Sequence, residues 1–530
     1  MEWSFYVGQV YIGDAGTRKP MNLLDSRLFR FPLTPMRPIS TAAPTKIALA
    51  CASTLALASC TVGPDYLRPE APTETHYKEL AGWKHAVPRD GLDRGSWWSI
   101  YRDPELSGLE SQVAVNNQTV AAALAAFEQS QALIRQSQAS LLPGVVGNDN
   151  VTRAGAGRHV GSSGRTVATT NFYPQGSISW TLDVWGKIRR QIESNVSGSQ
   201  ADAALLANAK LSTQALLAAA YFNLRAEDSL KSLFERTVKI YQETETITRN
   251  QYNGGTVSKA DLITAQTQVL TTQAQAINVD VLRSQYEHAI AQLIGRPPAD
   301  LTIRPGALPH SPPQVPVGMP STLLERRPDV AAAERVMKEQ NALIGVAVAA
   351  YYPTLSLSAA GGFEGPNAFP FVAAYQIWSL GAAAADPLFD GGSRAAQVDL
   401  SKAVYRQAVA SYRQTVLTAF QQVEDALVAL RVYSKELKVQ EKARDEAAEA
   451  VKVYLNQYRA GTVAFTTVVV AEGILLNNEE AVLTTRQSLF AASVNLIEAL
   501  GGGYDAESLA AVTAPPLIEA VERASPLPPS

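Results

Sequence analysis

Histidine and cysteine carry much of the metal and nucleophilic chemistry of proteins, and this chain of 530 residues spaces neither for such work. The five histidines are His76, His85, His159, His288 and His310. None pairs with a second histidine or a cysteine at the short intervals that zinc sites use. P-loop, Gly-x-Ser-x-Gly and zincin sequences are also missing. We therefore predict a protein that is not an enzyme and uses neither a metal ion nor a cofactor.

The side chain with the clearest chemistry is the thiol of Cys60, which ends an export signal. Arg37 and Lys46 give a positive start, and the apolar run at 47–58 is too short for the roughly 30 Å core of a bilayer. The sequence LASC at 57–60 resembles the bacterial lipobox, in which the cysteine takes a diacylglycerol on sulfur and, after cleavage, a palmitoyl chain on its amine. We predict this covalent lipid on Cys60. An ordinary secretory cleavage site that contains a cysteine is the alternative.

The leader is predicted to cover residues 1–59, with translation starting at Met36 and the signal peptide at 36–59. Cys51 lies inside it, so the mature chain has no disulfide and keeps one cysteine for the lipid. Thr61 follows Cys60 at the position where lipoproteins held at the inner membrane often have aspartate. We expect a lipid-anchored protein of the bacterial outer membrane that extends into the periplasm.

Composition excludes one class of partner and locates the long helices. Net charge is -3, so the chain lacks the basic field that binding to nucleic acid requires. Proline is absent from 175–296 and from 388–514, where uninterrupted helices can therefore run. Prolines gather instead at 297–328 and in the tail.

Two halves of the chain repeat the same signals. The motifs VAAA (120–123), ALI (132–134) and Pro143 recur 210 residues later, and NQY (250–252) and GTV (255–257) recur 206 residues later. Only long units that share one order of elements keep such a register, so a tandem architecture is predicted.

Each repeat is predicted to run helix, β-hairpin, long helix, turn, long helix. The first long helix of each pair covers roughly 65 residues, or about 100 Å. In the second repeat, ten consecutive positions at four-three spacing are apolar or aromatic, which is typical of a coiled-coil seam. They are Tyr405, Val409, Tyr412, Val416, Ala419, Val423, Ala426, Leu430, Tyr433 and Leu437. A rod-like coiled coil with a purely structural role is the alternative for these helices.

Hairpins are predicted at about 144–182 and 353–387, where small polar and apolar residues alternate. The alternation in SISWTL (177–182) and TLSLSA (354–359) is typical of barrel strands with one face in lipid and one in water. Candidate aromatic residues for the membrane interface are Trp180, Trp378, Tyr173 and Tyr375, with packing on a soluble sheet as the alternative. Four strands cannot close a barrel, and unpaired edges are not tolerated in hydrocarbon, so we expect an oligomer.

The turns near 252–258 and 458–464 form the far tip of the helices, about 100 Å from the hairpins. A glycine in the left-handed conformation is predicted to end the first helix of each pair. The following helices are expected to begin from Thr256 or Ser258 and from Thr462.

A series of short motifs extends along most of the chain. It comprises Cys60, VGPDY (62–66), RP (68–69), WW (97–98), DPEL (103–106), GMPS (318–321), LL (323–324), RRPDV (326–330) and the two tip turns. In this order, the motifs resemble those of the TolC-like outer membrane factor family, in particular its lipoprotein branch typified by OprM and NodT. The motif RRPD also reads as a helix break with a structural role, because Arg327 precedes a proline.

The resemblance implies a fold that is mainly α with transmembrane β. Each protomer of a homotrimer would give four strands to a twelve-stranded barrel and its long helices to a periplasmic α-helical barrel. The expected segments are the leader 1–59, a lipidated equatorial segment 60–102, repeat one 103–296, a proline-rich linker 297–320, repeat two 321–503 and a tail 504–530.

The resemblance also implies an exit duct of a tripartite efflux system, joined through a periplasmic adaptor (membrane fusion) protein to an inner-membrane transporter of the RND type. The residues expected to contact the adaptor are Gly254, Gly255, Thr256, Gly461, Thr462 and Val463. A duct for type I secretion or oligosaccharide export, a periplasm-spanning structural lipoprotein and a self-sufficient porin are the alternatives. The substrate and the particular pump are not readable from the sequence.

The gate departs from the family pattern. Relatives commonly have an acidic residue about nine positions past the second tip glycine, where this chain has Val470. We expect an aperture formed by Tyr252, Tyr458, Arg459, Thr466 and Val470, in which polar contacts and a valine collar replace the acidic ring. Because Thr264 is the first-repeat counterpart of Val470, the second repeat is expected to move while the first serves as its frame.

Overall fold

The computed structural model describes residues 61–70, 77–80, 96–156, 167–315, 327–502, 509 and 511–516. The chain divides into Met1–Ser59, which lies outside these ranges, and Cys60–Ser530, to which the description below applies. Cys60 itself and the GMPS motif at 318–321 also lie outside the described residues.

After the first α-helix, the two halves contain the same succession of elements. The first has α1 (Pro104–Asn116), α2 (Gln118–Ala139), β1 (Gly144–Ala156), β2 (Val167–Leu182), α3 (Lys187–Asn253) and α4 (Lys259–Leu293). The second has α5 (Pro328–Ala349), β3 (Thr354–Phe363), β4 (Gln376–Ala385), α6 (Ser393–Arg459) and α7 (Phe465–Ala499). Helices α2 and α5 both have 22 residues, α3 and α6 both have 67, and α4 and α7 both have 35. At 1.5 Å per residue, α3 and α6 are each about 100 Å long.

The four strands form one antiparallel sheet in the order β1-β2-β3-β4. The pair β2–β3 joins the two hairpins, with Trp180 opposite Leu357 and Ser179 opposite Ser358. Directly paired residues share a face, so the alternation read from the sequence places apolar side chains on one face and hydroxyls on the other. Trp378 is paired with Gly361, four positions from Leu357, and therefore lies on the apolar face.

Tyr173 does not share a face with Trp180, although both were candidates for the membrane interface. The two residues are seven positions apart on β2, and an odd separation puts their side chains on opposite faces. Tyr375 belongs to a short 3₁₀ turn, Ala373–Tyr375, that leads into β4.

The seam predicted along α6 is confirmed. Tyr412, Val416, Ala419 and Val423 are almost completely buried, and the remaining seam positions are buried or half-buried. Helix α6 packs along α7 and α5, whereas α3 packs along α4, α5 and α2. Burying one stripe per turn stabilises the long helices by packing, because helical propensity alone would leave them marginal.

The largest apolar core lies near the middle of the long helices. Its aromatic centre is formed by Tyr101, Phe222 and Phe490, with ring centroids 4.8 Å apart for the first pair and 4.6 Å for the last two. The 3₁₀ turn Trp97–Tyr101 and the linker residues Ile303, Leu308 and Val315 pack into the same core. The N-terminal segment and the linker therefore surround the helices at mid-length.

Candidate functional site

The two tip turns have the same backbone conformation. Helix α3 is followed by Gly254 and then by Gly255 at φ 73°, and α6 is followed by Ala460 and then by Gly461 at φ 74°. The glycine predicted at each turn is thus in the left-handed region, where a residue with a Cβ atom is strained. In each turn the amide of this glycine donates to the carbonyl of the tyrosine three positions earlier, at 2.9 Å.

The predicted start of the following helix is right for one turn and wrong for the other. Ser258 caps α4 in a capping box with Asp261, as expected. Helix α7, however, starts after Ala464 with no side-chain cap, so Thr462 is not its N-cap. Thr462 and Thr256 instead donate their hydroxyl hydrogen bonds backwards, to the carbonyls of Gln457 and Gln251, each at 2.9 Å. Both threonines therefore close the turn onto the helix that has just ended.

The gate candidates Tyr458 and Tyr252 occupy different environments. Tyr458 is buried, its ring lies 5.3 Å from that of Phe465, and its hydroxyl is 3.4 Å from the hydroxyl of Thr248 on α3. Tyr252, the equivalent residue of the first repeat, has 38% of its surface exposed. Among the described hydrogen bonds, that of Tyr458 connects α6 to the first repeat, and Tyr252 has no equivalent bond to the second repeat.

The other aperture candidates face outward. Arg459 and Thr466 are exposed, and no hydrogen bond or ion pair of Arg459 occurs among the described residues. Val470 has 62% of its surface exposed, while Val468 two positions earlier is completely buried in a tip cluster with Ala265, Tyr458 and Phe465. The side chains of Val470 and Arg459 are therefore accessible on the surface of the described chain. Val463 packs against the tip cluster, which lies directly behind the turn.

Sequence reasoning missed Glu472, the most unusual side chain near the tip. It is 3% exposed, accepts from Gln268 of α4 at 3.1 Å, and lies 3.3 Å from the hydroxyl of Thr244 of α3. Burial raises the pKa of Glu472 to about 7, and the two hydrogen bonds oppose that rise. The available signal was a carboxyl two positions past Val470, where the first repeat has the neutral Gln266.

The segment that follows Cys60 is held at the junction between sheet and helices. The amide of Val62 donates to the carbonyl of Trp185 at 3.2 Å, and the buried Arg190 donates to Asp65 at 2.8 Å. Trp185 stacks on Tyr352, with ring centroids 4.8 Å apart, so the connection between β2 and α3 meets the connection between α5 and β3 there. The described chain thus begins beside the end of β2.

The helix break at the RRPD motif is present. Arg327 is extended, with φ −97° and ψ 122°, and Pro328 is the first residue of α5. The buried Arg327 guanidinium donates to the carbonyl of Ala499 at 2.9 Å, to Gln422 at 2.8 Å and to both carboxyl oxygens of Asp329. It therefore joins the start of α5 to the end of α7 and the middle of α6.

Neither a helical membrane anchor nor a metal cluster is found in the part of the chain that the structure describes. Within those ranges, no helix is both long and apolar enough to cross a membrane. The same ranges contain no group of three or more His, Cys, Asp or Glu side chains placed to hold a metal ion.

The described chain joins a sheet to two pairs of long antiparallel helices, a fold that it shares with solved outer-membrane channels. The sequence profile of the outer membrane efflux protein family matches residues 109–296 and 319–502, and the chain belongs to this family. Its predicted family and its location in the outer membrane are thereby confirmed. The two matched segments begin and end close to the two sets of equivalent elements.

Three known proteins illustrate the relationship. The chain is 30% identical to the toluene efflux pump outer membrane protein TtgC of Pseudomonas putida over 458 residues, covering 84% of this chain and 93% of the relative. Nodulation protein T of Rhizobium leguminosarum bv. trifolii is 27% identical, covering 85% and 96%. The structure of the outer-membrane channel OprN superposes with a TM-score of 0.78 at 28% identity, covering 84% of this chain and 99% of that one.

Proposed function

We propose that this chain is the outer membrane exit duct of a tripartite efflux system and carries out no reaction itself. The observation that carries the proposal is one chain in which a four-stranded sheet continues into two pairs of helices, the longer ones about 100 Å each. Such a chain would have its strands in the outer membrane and its long helices in the periplasm. The name of TtgC, a toluene efflux pump protein, favours small apolar molecules as the exported class.

We propose a homotrimer with a twelve-stranded barrel, and the open edges of the described sheet support closure with further copies. Within the described strands, β1 pairs only with β2 and β4 pairs only with β3, so one protomer presents two open edges. Open edges cannot remain in hydrocarbon, where each unpaired backbone group is costly. Joining β4 of one copy to β1 of the next removes all edges when the ring closes, and three copies supply twelve strands.

An exposed seam on α4 supports the same assembly. Six consecutive positions at four-three spacing are exposed in the protomer, and all of them are aliphatic except one threonine. They are Ile263, Thr267, Leu270, Ala274, Ile277 and Val281. Such spacing produces knobs-into-holes packing against another helix. Helix α6 exposes Val432, Val439 and Val453 on a stripe of its own, so α4 of one copy and α6 of a neighbour form a suitable pair.

We propose positions for the lipid and for the partner proteins. A diacylglycerol and a palmitoyl chain on Cys60 would emerge beside the end of β2, where Thr61 and Val62 contact the junction residues Trp185 and Gly186. The tip residues, from Gly254 to Thr256 and from Gly461 to Val463, are the farthest from the sheet and would meet the adaptor protein. The inner-membrane transporter, of the RND type, would lie beyond it. Labelling cells with radioactive palmitate tests the anchor, and label retained by a Cys60→Ala variant would contradict it.

The closed aperture is proposed to depend on Tyr458, Arg459 and a collar of Val470 side chains from three copies. The buried contacts of Tyr458 and the outward positions of Arg459 and Val470 support this arrangement. Tyr458→Phe or Arg459→Ala is expected to raise conductance in planar bilayers. Unchanged conductance in both variants would count against these contacts.

The duct is tested by purifying the full chain from outer membranes. We expect a heat-modifiable trimer on gels, single-channel conductance in planar bilayers, and copurification of an adaptor protein after cross-linking. Deleting the gene should increase susceptibility to small apolar compounds. A monomer without conductance would favour a structural tether, and a conducting trimer that never retains an adaptor would favour a self-sufficient porin.

A further inference from the structure

The carboxyl of Glu472 connects three helices close to the tip. Glu472 belongs to α7, its Oε1 atom lies 3.3 Å from the hydroxyl of Thr244 on α3, and its Oε2 atom accepts from Gln268 on α4 at 3.1 Å. We name these three residues the Glu472 cluster. Helix α7 is thus attached by one side chain to both long helices of the first repeat.

The cluster separates two apolar layers. Toward the tip lie the buried Ala265, Tyr458, Phe465 and Val468. Away from the tip lie the buried Leu233, Phe234, Val279 and Leu476. A carboxyl that is 3% exposed between such layers is reached by water only when the helices separate. The charge state of Glu472 therefore bears directly on whether α7 remains packed at the tip.

Among the described residues, no ionic partner stabilises the charged form of Glu472. From α3 the titratable group that faces it is the phenol of Tyr241, whose own pKa is raised to about 12 mainly by burial. From α4 the neutral amide of Gln268 faces it, and no charged side chain of α6 affects its pKa. Glu479 and Glu480 of α7 act on the pKa of Tyr241. Ionisation of Glu472 is therefore opposed by burial and favoured by the two hydrogen-bond donors.

We propose that Glu472 is a positioning residue of the gate, which holds α7 against α3 and α4 while it is neutral and releases the tip when it ionises. As a neutral carboxyl it donates to Thr244 and accepts from Gln268, so all three groups stay paired without water. As a carboxylate it requires hydration, which the packed cluster does not supply. This inference rests on the proposed function, because it presupposes a duct with a tip that opens.

The direction of the pH dependence follows from the raised pKa. Burial moves the pKa of Glu472 from 4.5 to about 7 in the packed state, and separation of the helices returns it toward 4.5. The packed state therefore binds more protons between these values, and its advantage falls as pH rises through this window. Acid closes the tip and neutral to alkaline pH favours opening.

The experiment measures open probability of the full-length trimer in planar bilayers from pH 5 to pH 8. We expect a rise of at least about tenfold for the wild type, since one pKa unit corresponds to a tenfold change. Glu472→Gln keeps both hydrogen bonds and remains neutral, so it should stay at the low acid level throughout. The control Glu243→Gln removes an exposed carboxyl next to Thr244, at the same height on α3, and should follow the wild type.

A second variant keeps the test conclusive if Glu472→Gln does not fold. Gln268→Met removes a hydrogen bond that lowers the pKa of Glu472, so the midpoint of the pH response should move to higher pH. A merely structural role of the cluster would change stability at every pH and leave the midpoint in place. A pH response that survives Glu472→Gln, or an unmoved midpoint in Gln268→Met, would overturn the proposal while leaving the duct intact. A wild type that never conducts would contradict the duct and the gate together.

Discussion

At the residue scale, single buried polar side chains fix contacts between elements that are distant in sequence. Arg327 binds the last carbonyl of α7 and Gln422 of α6, and it pairs with Asp329 in a bidentate manner. A buried guanidinium that satisfies several acceptors specifies one arrangement of helix ends, because any other arrangement leaves charges or carbonyls unpaired. Motif residues of this kind act on the fold and need no contact with substrate.

We predict that Arg327→Ala lowers the free energy of unfolding of the protomer by about 3 kcal/mol, because it leaves a carboxylate and a buried carbonyl without their donor. Thermal unfolding of the detergent-solubilised protein, followed by circular dichroism, measures the change. Arg413→Ala is the matched control, since Arg413 is an exposed arginine of α6. Equal melting temperatures for the two variants would contradict a structural role of Arg327.

At the element scale, the conformation of each tip turn is set by one glycine. Adding a Cβ atom to Gly255 or Gly461 would meet nothing within 4 Å, so the demand for glycine is purely one of backbone conformation. Both residues have positive φ, and each turn is completed by the threonine that follows the glycine. The residue before the glycine has ordinary helical φ, which is why the second repeat has Ala460 where the first has Gly254.

We expect Gly255→Ala and Gly461→Ala each to destabilise the tip by about 1 kcal/mol, the typical cost of a left-handed conformation for a residue with a Cβ atom. Amide hydrogen exchange at the tip turns should accelerate accordingly, roughly fivefold, in each variant. Gly254→Ala, one position earlier, copies the arrangement around Ala460 and should leave exchange unchanged or slow it. If amide exchange accelerated only in Gly254→Ala, the requirement for glycine at Gly255 and Gly461 would be refuted.

At the scale of the whole molecule, the described chain has features that the proposed trimer would complete. Its described sheet has two open edges, and α4 and α6 carry exposed aliphatic stripes that a solitary chain would present to water. Contiguous exposed apolar surface of this kind marks an interface. The same argument applies at the tip, where the side chains of Val470 and Arg459 are exposed on the described protomer.

We predict that Leu270→Glu, at the centre of the α4 seam, dissociates most of the trimer in mild detergent. The carboxylate would be buried against a neighbouring helix without a partner in each of three interfaces. Size-exclusion chromatography with light scattering measures the oligomeric state. Thr271→Glu introduces the same charge at an adjacent exposed position outside the seam and should leave the trimer intact. Equal dissociation of both variants would show that the seam is not the interface.

The sequence by itself determined the features that depend on local chemistry and periodicity. The α6 seam, the glycine turns, the helix break at Pro328 and the alternation in β2 and β3 were predictable because each follows from spacing or from a backbone restriction. The first long helices, predicted at roughly 65 residues, have 67. The start of α7 was wrongly assigned to Thr462, because a threonine near a helix start also fits a backward hydrogen bond that closes the preceding turn.

Only the tertiary structure decided which residues at equivalent positions of the two repeats have different environments. Tyr458 and Tyr252 have the same place in their repeats, yet one is buried against α3 and the other is exposed. Glu472 was overlooked because its sequence signal, a carboxyl where the first repeat has Gln266, does not distinguish a buried carboxyl from a solvated one. Its environment is created by Thr244 and Gln268, more than 200 residues away along the chain. The burial and the pKa of a side chain depend on packing between the repeats. The periodicity of a sequence, in contrast, gives information about one helix at a time.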